Sequence, residues 1–308
     1  MKKRFLKISL SFALALGMIS GIATPAFADE SDSDKGINEK LGVPIVVYGE
    51  TLSESQKDET RKLLNIDDPE NTEEFTVTGQ DIAKYIDGDP NSRMFSSAKI
   101  TREEKGHGID VEIVTKDNIT QVTNEMYVNA LLTAGVEDAT VKVASAVKVS
   151  GHSALTGIYK AYDVSGEDLD KERMELANEE LDVSTDLADK EGMDDESVTA
   201  LMTEIKKAIA DQNPATREDV EEIVKEQLSK LNLELSDQDR ERLVNLFDKM
   251  RDLDIDFSKV KTQLKDLTSK VKDKMDELGI DEGFWEKVIN FIKALFNAIV
   301  DFFRGIFS

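Results

Sequence analysis

The apolar period changes along this chain, and that change constrains the architecture more than any other feature. Up to about residue 163 the dominant period is two. Ile109, Val111 and Ile113 alternate with Asp110 and Glu112, and Val141, Val143, Val147 and Val149 alternate around Lys142 and Lys148. Side chains two apart share one face of a strand, so each segment has a buried and a wetted side. From about Glu167 onward the spacing becomes three and four. Val198, Leu201, Met202, Ile205 and Ile209 fall on one helix face. So do Val220, Ile223, Val224, Leu228 and Leu231, then Leu243, Leu246, Phe247 and Met250, then Val260, Leu264, Leu267, Val271, Met275 and Leu278. The fold class expected is α+β, with an N-terminal mixed α/β-sheet domain over 43–165 and an α-helical C-terminal domain over 194–308.

Local signals set the element ends. Pro44 to Tyr48 and Glu74 to Thr78 read as strands. Ser53 with Gln56 forms a capping box for a helix running to about Leu64. Asp81 to Ile86 is a short helix, closed by the turn Asp87-Gly88-Asp89-Pro90. Ser97–Glu104 and Ile109–Val114 read as a hairpin around Lys105-Gly106-His107-Gly108. Thr120 or Thr123 caps a helix that Gly135 stops, and Ser153 reads as the N-cap of a helix reaching Ala161. Thr216 and Ser236 cap two later helices, and Asn213-Pro214 closes the one before them. Between the halves, residues 166–193 form an acidic linker or helix: Glu167 to Glu191 holds eleven acids and three bases. The simplest reading is a solvated helix or hinge; the alternative is an acidic docking or cation-binding surface.

Residues 1–28 have the three parts of a signal peptide: Met1-Lys2-Lys3-Arg4, an apolar core from Phe5 to Ile22, and Ala26-Phe27-Ala28. This segment carries four cations and no acid, so its loss takes the net charge from −24 to −28 and the length from 308 to 280. Residues 29–42 then read as a flexible acidic leader. The expected location is secreted, extracellular or at the cell-envelope surface. So acidic a chain is a poor partner for nucleic acid, and with no cysteine it has neither disulfides nor thiol chemistry. No lipid-attachment cysteine or sorting motif is seen, and no stretch after the signal is long and apolar enough to span a bilayer.

The most conspicuous candidate surface is the C-terminal helix, 282–307. Phe284, Trp285, Phe291, Phe296, Phe302 and Phe303 lie on its wide apolar face, which holds six of the ten phenylalanines left after the signal and the one tryptophan. That face is covered by its own bundle, a membrane interface, or a partner. Lys293 and Asp301 oppose a spanning role. Asp252, Asp254 and Asp256 begin a calcium-loop pattern, but Phe257 and Gln263 stand where Gly and Glu are needed. No zinc motif, complete catalytic triad or phosphate loop is present. Gly151-His152-Ser153 lacks the second glycine of a nucleophile elbow. Neither a metal nor a cofactor is expected.

One series of blocks resembles a known family. Val47-Tyr48-Gly49 with Leu52-Ser53, Glu104-Lys105-Gly106-His107-Gly108-Ile109, Ile119-Thr120, Val122-Thr123, Met126-Tyr127, Asn129-Ala130, Thr133-Ala134-Gly135-Val136, Val149-Ser150-Gly151 and Ala154-Leu155-Thr156-Gly157-Ile158 are similar to the YpuA-like family of exported Gram-positive proteins. The resemblance covers roughly residues 45–165 and implies export and a shared fold; it supplies no activity or functional residue. His152 departs from it, standing where a small or hydroxyl residue is expected. Among the blocks, Thr120, Thr123, Asn129, Ser150, Ser153 and Thr156 are polar enough to line a cleft between the helix after residue 120 and the following strand. The alternative is that they are caps and turns. The reading is therefore an exported, non-catalytic extracellular or cell-envelope binding protein with an envelope or membrane-surface partner. Two alternatives stand beside it. One is an extracellular hydrolase using carboxylates or Ser153 with a histidine; the other is a membrane-surface protein docking through its last helix.

Overall fold

The computed structural model describes residues 41–66, 68–190, 193–253, 255, 257 and 263–270. The expected signal peptide and leader, the C-terminal helix 282–307, and Asp254 and Asp256 of the acidic triplet lie outside the described residues.

The fold is α+β. Five strands form one mixed sheet: β1 (Ile45–Gly49), β2 (Glu73–Val77), β3 (Ser97–Arg102), β4 (Ile109–Ile113) and β5 (Ala139–Ala144), in the order β2-β1-β3-β5-β4. β1 runs parallel to β2 and β4 parallel to β5, while β3 is antiparallel to β1 and β5. The two-residue period selects the faces. Ile45, Ile100, Val141 and Val111 stand side by side in one row and Val47, Ala98, Val143 and Ile113 in the next, all buried. On the opposite face Lys99, Lys142 and Glu112 share a row, with Lys142 3.4 Å from Glu112.

Two sequence expectations fail here. β3 and β4 are not a hairpin, because β5 lies between them. Asp138, just before β5, explains the insertion: its Oδ1 accepts from the amides of Gly106 and Gly108 at 2.9 and 2.8 Å, so the incoming strand is tied to the inside of the 103–108 loop. Val147 and Val149 do not continue β5. The chain bends after Ala144, and Val149 forms an isolated bridge to Ile119.

Helix α1 (Glu54–Leu63), with the Ser53–Gln56 capping box, covers one side of the sheet beside Val46, Tyr48, Leu64 and Ile66. Arg61 holds Glu74 of β2 with two bonds, at 3.0 and 2.8 Å, so this docking is geometrically specific. The other face receives α2 (Gly79–Ile86), α3 (Asn124–Ala134) and α4 (Ser153–Val164). Next come α5 (Lys171–Ala188), α6 (Asp195–Gln212), α7 (Arg217–Lys230) and α8 (Asp237–Asp252). The apolar core runs unbroken from Ile45 to Leu267.

The acidic segment is neither hinge nor solvated helix. α5 packs against α2, α3, α6 and α8 and buries Met174, Leu176, Ala177, Leu181, Val183 and Leu187. Its acids other than the buried Glu180 lie on the remaining arc, where Asp186 meets Arg242 and Glu179 meets Lys249 of α8.

Candidate ligand-binding cleft

A cleft of about 480 Å³ opens between α2, residues 92–95 and the segment that leads into α4. Its apolar wall is Ile82 and Ile86 of α2 with Phe95. α2 begins at a Thr78–Asp81 capping box. Gly79 is required there, since a Cβ would lie 2.1 Å from the carbonyl oxygen of Pro90. Ion pairs clamp α2 to α4: Lys84 Nζ lies 2.6 Å and Tyr85 hydroxyl 2.8 Å from Asp163, and Lys160 Nζ lies 2.8 Å from Asp81. Residues 92–95 are fixed through Met94, which donates its amide to Thr51 Oγ1 and accepts the Thr51 amide, both at 2.9 Å.

The polar wall is the segment 148–153. Asn118 accepts from the Val149 amide at 2.8 Å, and Thr120 and Gln121 donate their amides to Val149 and Ser150 at 3.0 and 3.3 Å. The buried Tyr127 hydroxyl donates to the Gly151 carbonyl at 2.6 Å. Gly151 itself has φ +112°, and a Cβ there would meet Ile119 Cγ2 at 2.8 Å and the Tyr127 hydroxyl at 3.0 Å. α4 then starts. His152 is the residue before it, in helical conformation and without a side-chain cap bond. Ser153 is therefore the first helical residue, not the cap expected, and its Oγ accepts from the Ser96 amide at 3.4 Å. Thr156, one turn on, is buried against the cleft.

The electrostatics of the cleft invert those of the chain. Sixty-three acids face 39 lysines and arginines overall, yet among the described residues lining the cleft there are Arg93 and Lys148 and no carboxylate. The acids nearby are committed elsewhere: Asp81 to Lys160, Asp163 to Lys84, Asp87 to Lys171, and Asp182 to His152 and the Asn178 amide. Neither Arg93 nor Lys148 forms an ion pair among the described residues; the Arg93 guanidinium stands 5.7 Å from the ring centre of Phe95. His152 points its Nε2 away to Thr185 Oγ1 at 3.2 Å and Asp182 at 3.3 Å. Burial holds its pKa below the usual histidine value, against the pull of Asp182 and Asp186.

Of the six polar residues nominated from the sequence, Ser150, Ser153 and Thr156 line this cleft. The cleft lies against α2, not against the helix after residue 120. Thr120 supports the segment from behind, its hydroxyl donating to Val149 at 3.0 Å, and Thr123 caps α3. Asn129 belongs to a buried structural network. Its amide donates to Thr203 Oγ1 at 3.0 Å and its carbonyl accepts from Lys206 Nζ at 2.7 Å, while Lys206 pairs with Glu180 at 2.5 Å. Burial pushes the Lys206 pKa down, opposed by Glu180.

No sequence motif marks Arg93, Phe95 and Lys148, but the sequence does carry a trace of them. Residues 90–102 and 139–162 hold no Asp or Glu at all, and both stretches contribute to the cleft.

The geometry does not assemble a Ser–His couple. Ser153 sits by Ser96 at one end of β3, whereas His107 is exposed in the loop beyond the other end. A second cleft, about 590 Å³, is bordered by Glu112, Asp117 and Asn124, with Glu112 held by Lys142. Among the described residues, no group of three or more His, Asp or Glu is placed to hold a metal, and no helix is long and apolar enough to cross a membrane.

Comparison with known proteins adds a family. Residues 48–267 match the model of a family described as "Protein of unknown function (DUF1002)". Over 274 residues the chain is 40% identical to "Uncharacterized protein YpuA" of Bacillus subtilis (strain 168), spanning 86% of this chain and 91% of that protein. No solved structure matches.

Proposed function

The chain belongs to the DUF1002 family, and on that footing we propose that it is an exported, non-catalytic binding protein that holds a small ligand between α2 and the start of α4. One observation carries the reading: two stretches free of acid in an acidic chain meet at a cleft that has an apolar wall, a hydroxyl-bearing wall and two cations that form no ion pair among the described residues. Its volume falls in the range usual for small-molecule sites. The basic, apolar and small-residue parts of residues 1–28 support export. A non-catalytic role is supported by Ser153, whose oxygen accepts from the Ser96 amide, and by His152, whose Nε2 is engaged by Thr185 and Asp182.

Two measurements test this. Fractionation of a Gram-positive host expressing the full chain should recover it outside the cytoplasm with a new N-terminus near Asp29; an uncleaved cytoplasmic chain would contradict export. Thermal-shift screening of extracellular metabolites should find compounds that raise Tm for the natural chain but not for Ser150→Trp, which fills the cleft. Equal gains for both, or turnover of the compound, would contradict a binding role for this site.

A further inference from the structure

We propose that this cleft selects a small organic anion, a carboxylate or phosphate borne on an apolar body. The proposal rests on the reading of the cleft as a ligand site and adds the chemistry of what it takes.

The two walls ask for two different ends of one molecule. Ile82, Ile86 and Phe95 offer only carbon to a ligand, so the part that rests on them gains by leaving water. Across from them stand the hydroxyls of Ser150, Ser153 and Thr156, able to donate to an oxyanion, and the amide of Asn178, which donates to Asp182 at 3.2 Å and keeps a second N–H. Arg93 and Lys148 reach the cleft from the two segments that form its sides. A neutral ligand would leave both cations without a counter-charge, although the chain has acids in excess. Those acids are absent from the two stretches that supply the cations; of the acids around the cleft, Asp163, Asp81 and Asp87 are paired with Lys84, Lys160 and Lys171, and Asp182 is held behind the wall by His152 and Asn178. The cleft is therefore a cationic spot in a field of negative charge, and it favours an anion over the chain's own side chains. The guanidinium of Arg93 lies near the Phe95 ring, so one ligand can meet charge and apolar surface together.

The competing sites carry less. The Lys206–Glu180 pair is fully enclosed among α3, α5 and α6 and has no access. The cleft at Glu112–Asn118 mixes both charge signs and has its glutamate already bound by Lys142.

Calorimetry on the full chain tests the proposal with phenyl phosphate, phenylacetate, inorganic phosphate and benzyl alcohol as probes. Both aromatic anions are expected to bind more tightly than phosphate alone and than benzyl alcohol. Their affinity should fall several-fold between roughly 50 and 300 mM salt, because the two cations are exposed. The double variant Arg93→Gln/Lys148→Gln should lose about tenfold or more and most of the salt dependence. Lys62→Gln/Lys225→Gln, which makes the same charge change at exposed sites elsewhere, should match the natural chain. If benzyl alcohol binds as well as the anions and the Arg93/Lys148 variant is unaffected, the anion assignment fails while the binding site stands. If no probe binds the natural chain, both are overturned.

Discussion

At Gly151 the backbone turns with φ +112°, and Tyr127 fixes the turn through the carbonyl. These two residues set the polar wall without touching what sits in the cleft. Gly151→Ala should cost more than about 1 kcal/mol, because it adds both a strained φ and a clash with Ile119. Tyr127→Phe should cost about 1–2 kcal/mol, since it leaves a buried carbonyl without its donor. Urea unfolding measures both. The buried pair Lys206–Glu180 follows another rule: removing one partner strands a charge. Lys206→Met alone should lose about 3–5 kcal/mol, and Lys206→Met with Glu180→Leu less than the sum of the two single changes. A double-mutant cycle reads this directly. At His152 the sign of the pH effect follows from burial. Its pKa is lowered in the folded chain, so the unfolded chain takes up the proton first. Its stabilising contribution is full above about pH 6.5 and is lost as pH falls through the folded value. Asp182 acts oppositely at lower pH, because burial raises its pKa. Denaturation at pH 7 and 6 should show a decline that His152→Gln removes.

At the scale of elements, α5 shows how composition misleads. Eleven acids in the segment argue for solvation, but within the helix Glu172, Glu175, Glu179, Asp182 and Asp186 keep to one arc and Glu180 is buried against Lys206, while Met174, Leu176, Ala177, Leu181, Val183 and Leu187 fill the apolar side. Leu181→Ala should cost about 2–5 kcal/mol by cavity formation, a loss a solvated hinge would not suffer. Caps were the most legible features. Ser53, Thr216 and Ser236 accept the amides expected of them and Thr123, one of the two candidates, caps α3, because a cap is a local bond within four residues; the cap expected at Ser153 is not formed. Strand partners were less legible. Alternation in β3, β4 and β5 reveals which side is buried, but it says nothing about which strand is adjacent. The Asp138 bonds that place β5 between the others span 30 and 32 residues. The same distance in sequence hid the cleft, whose walls come from α2, residues 92–95, residues 148–153 and α5. Three of its hydroxyls were legible as polar residues in otherwise apolar blocks; its cations were not, because nothing local marks a lysine or arginine as unpaired.

Over the whole described body, the sheet and the later helices share one apolar core. α3 sits between β4 on one side and α5 and α6 on the other, so neither half buries its apolar faces alone. Far-UV circular dichroism and hydrogen exchange in β1 and β5 should therefore report one coincident unfolding transition; separate midpoints would mean that the core divides. The walls of the cleft are held together within the fold, since α2 and α4 are bonded to each other, α2 packs on α5 and α4 on the sheet. A preformed site loses little to ordering when a ligand arrives. Amide chemical shifts of the full chain titrated with phenyl phosphate show most directly where a ligand sits. The predicted result is that the largest shifts fall at Arg93, Phe95, Ser150, Gly151 and Ser153. Shifts concentrated at Glu112–Asn118, with residues 92–95 and 148–153 unmoved, would contradict it.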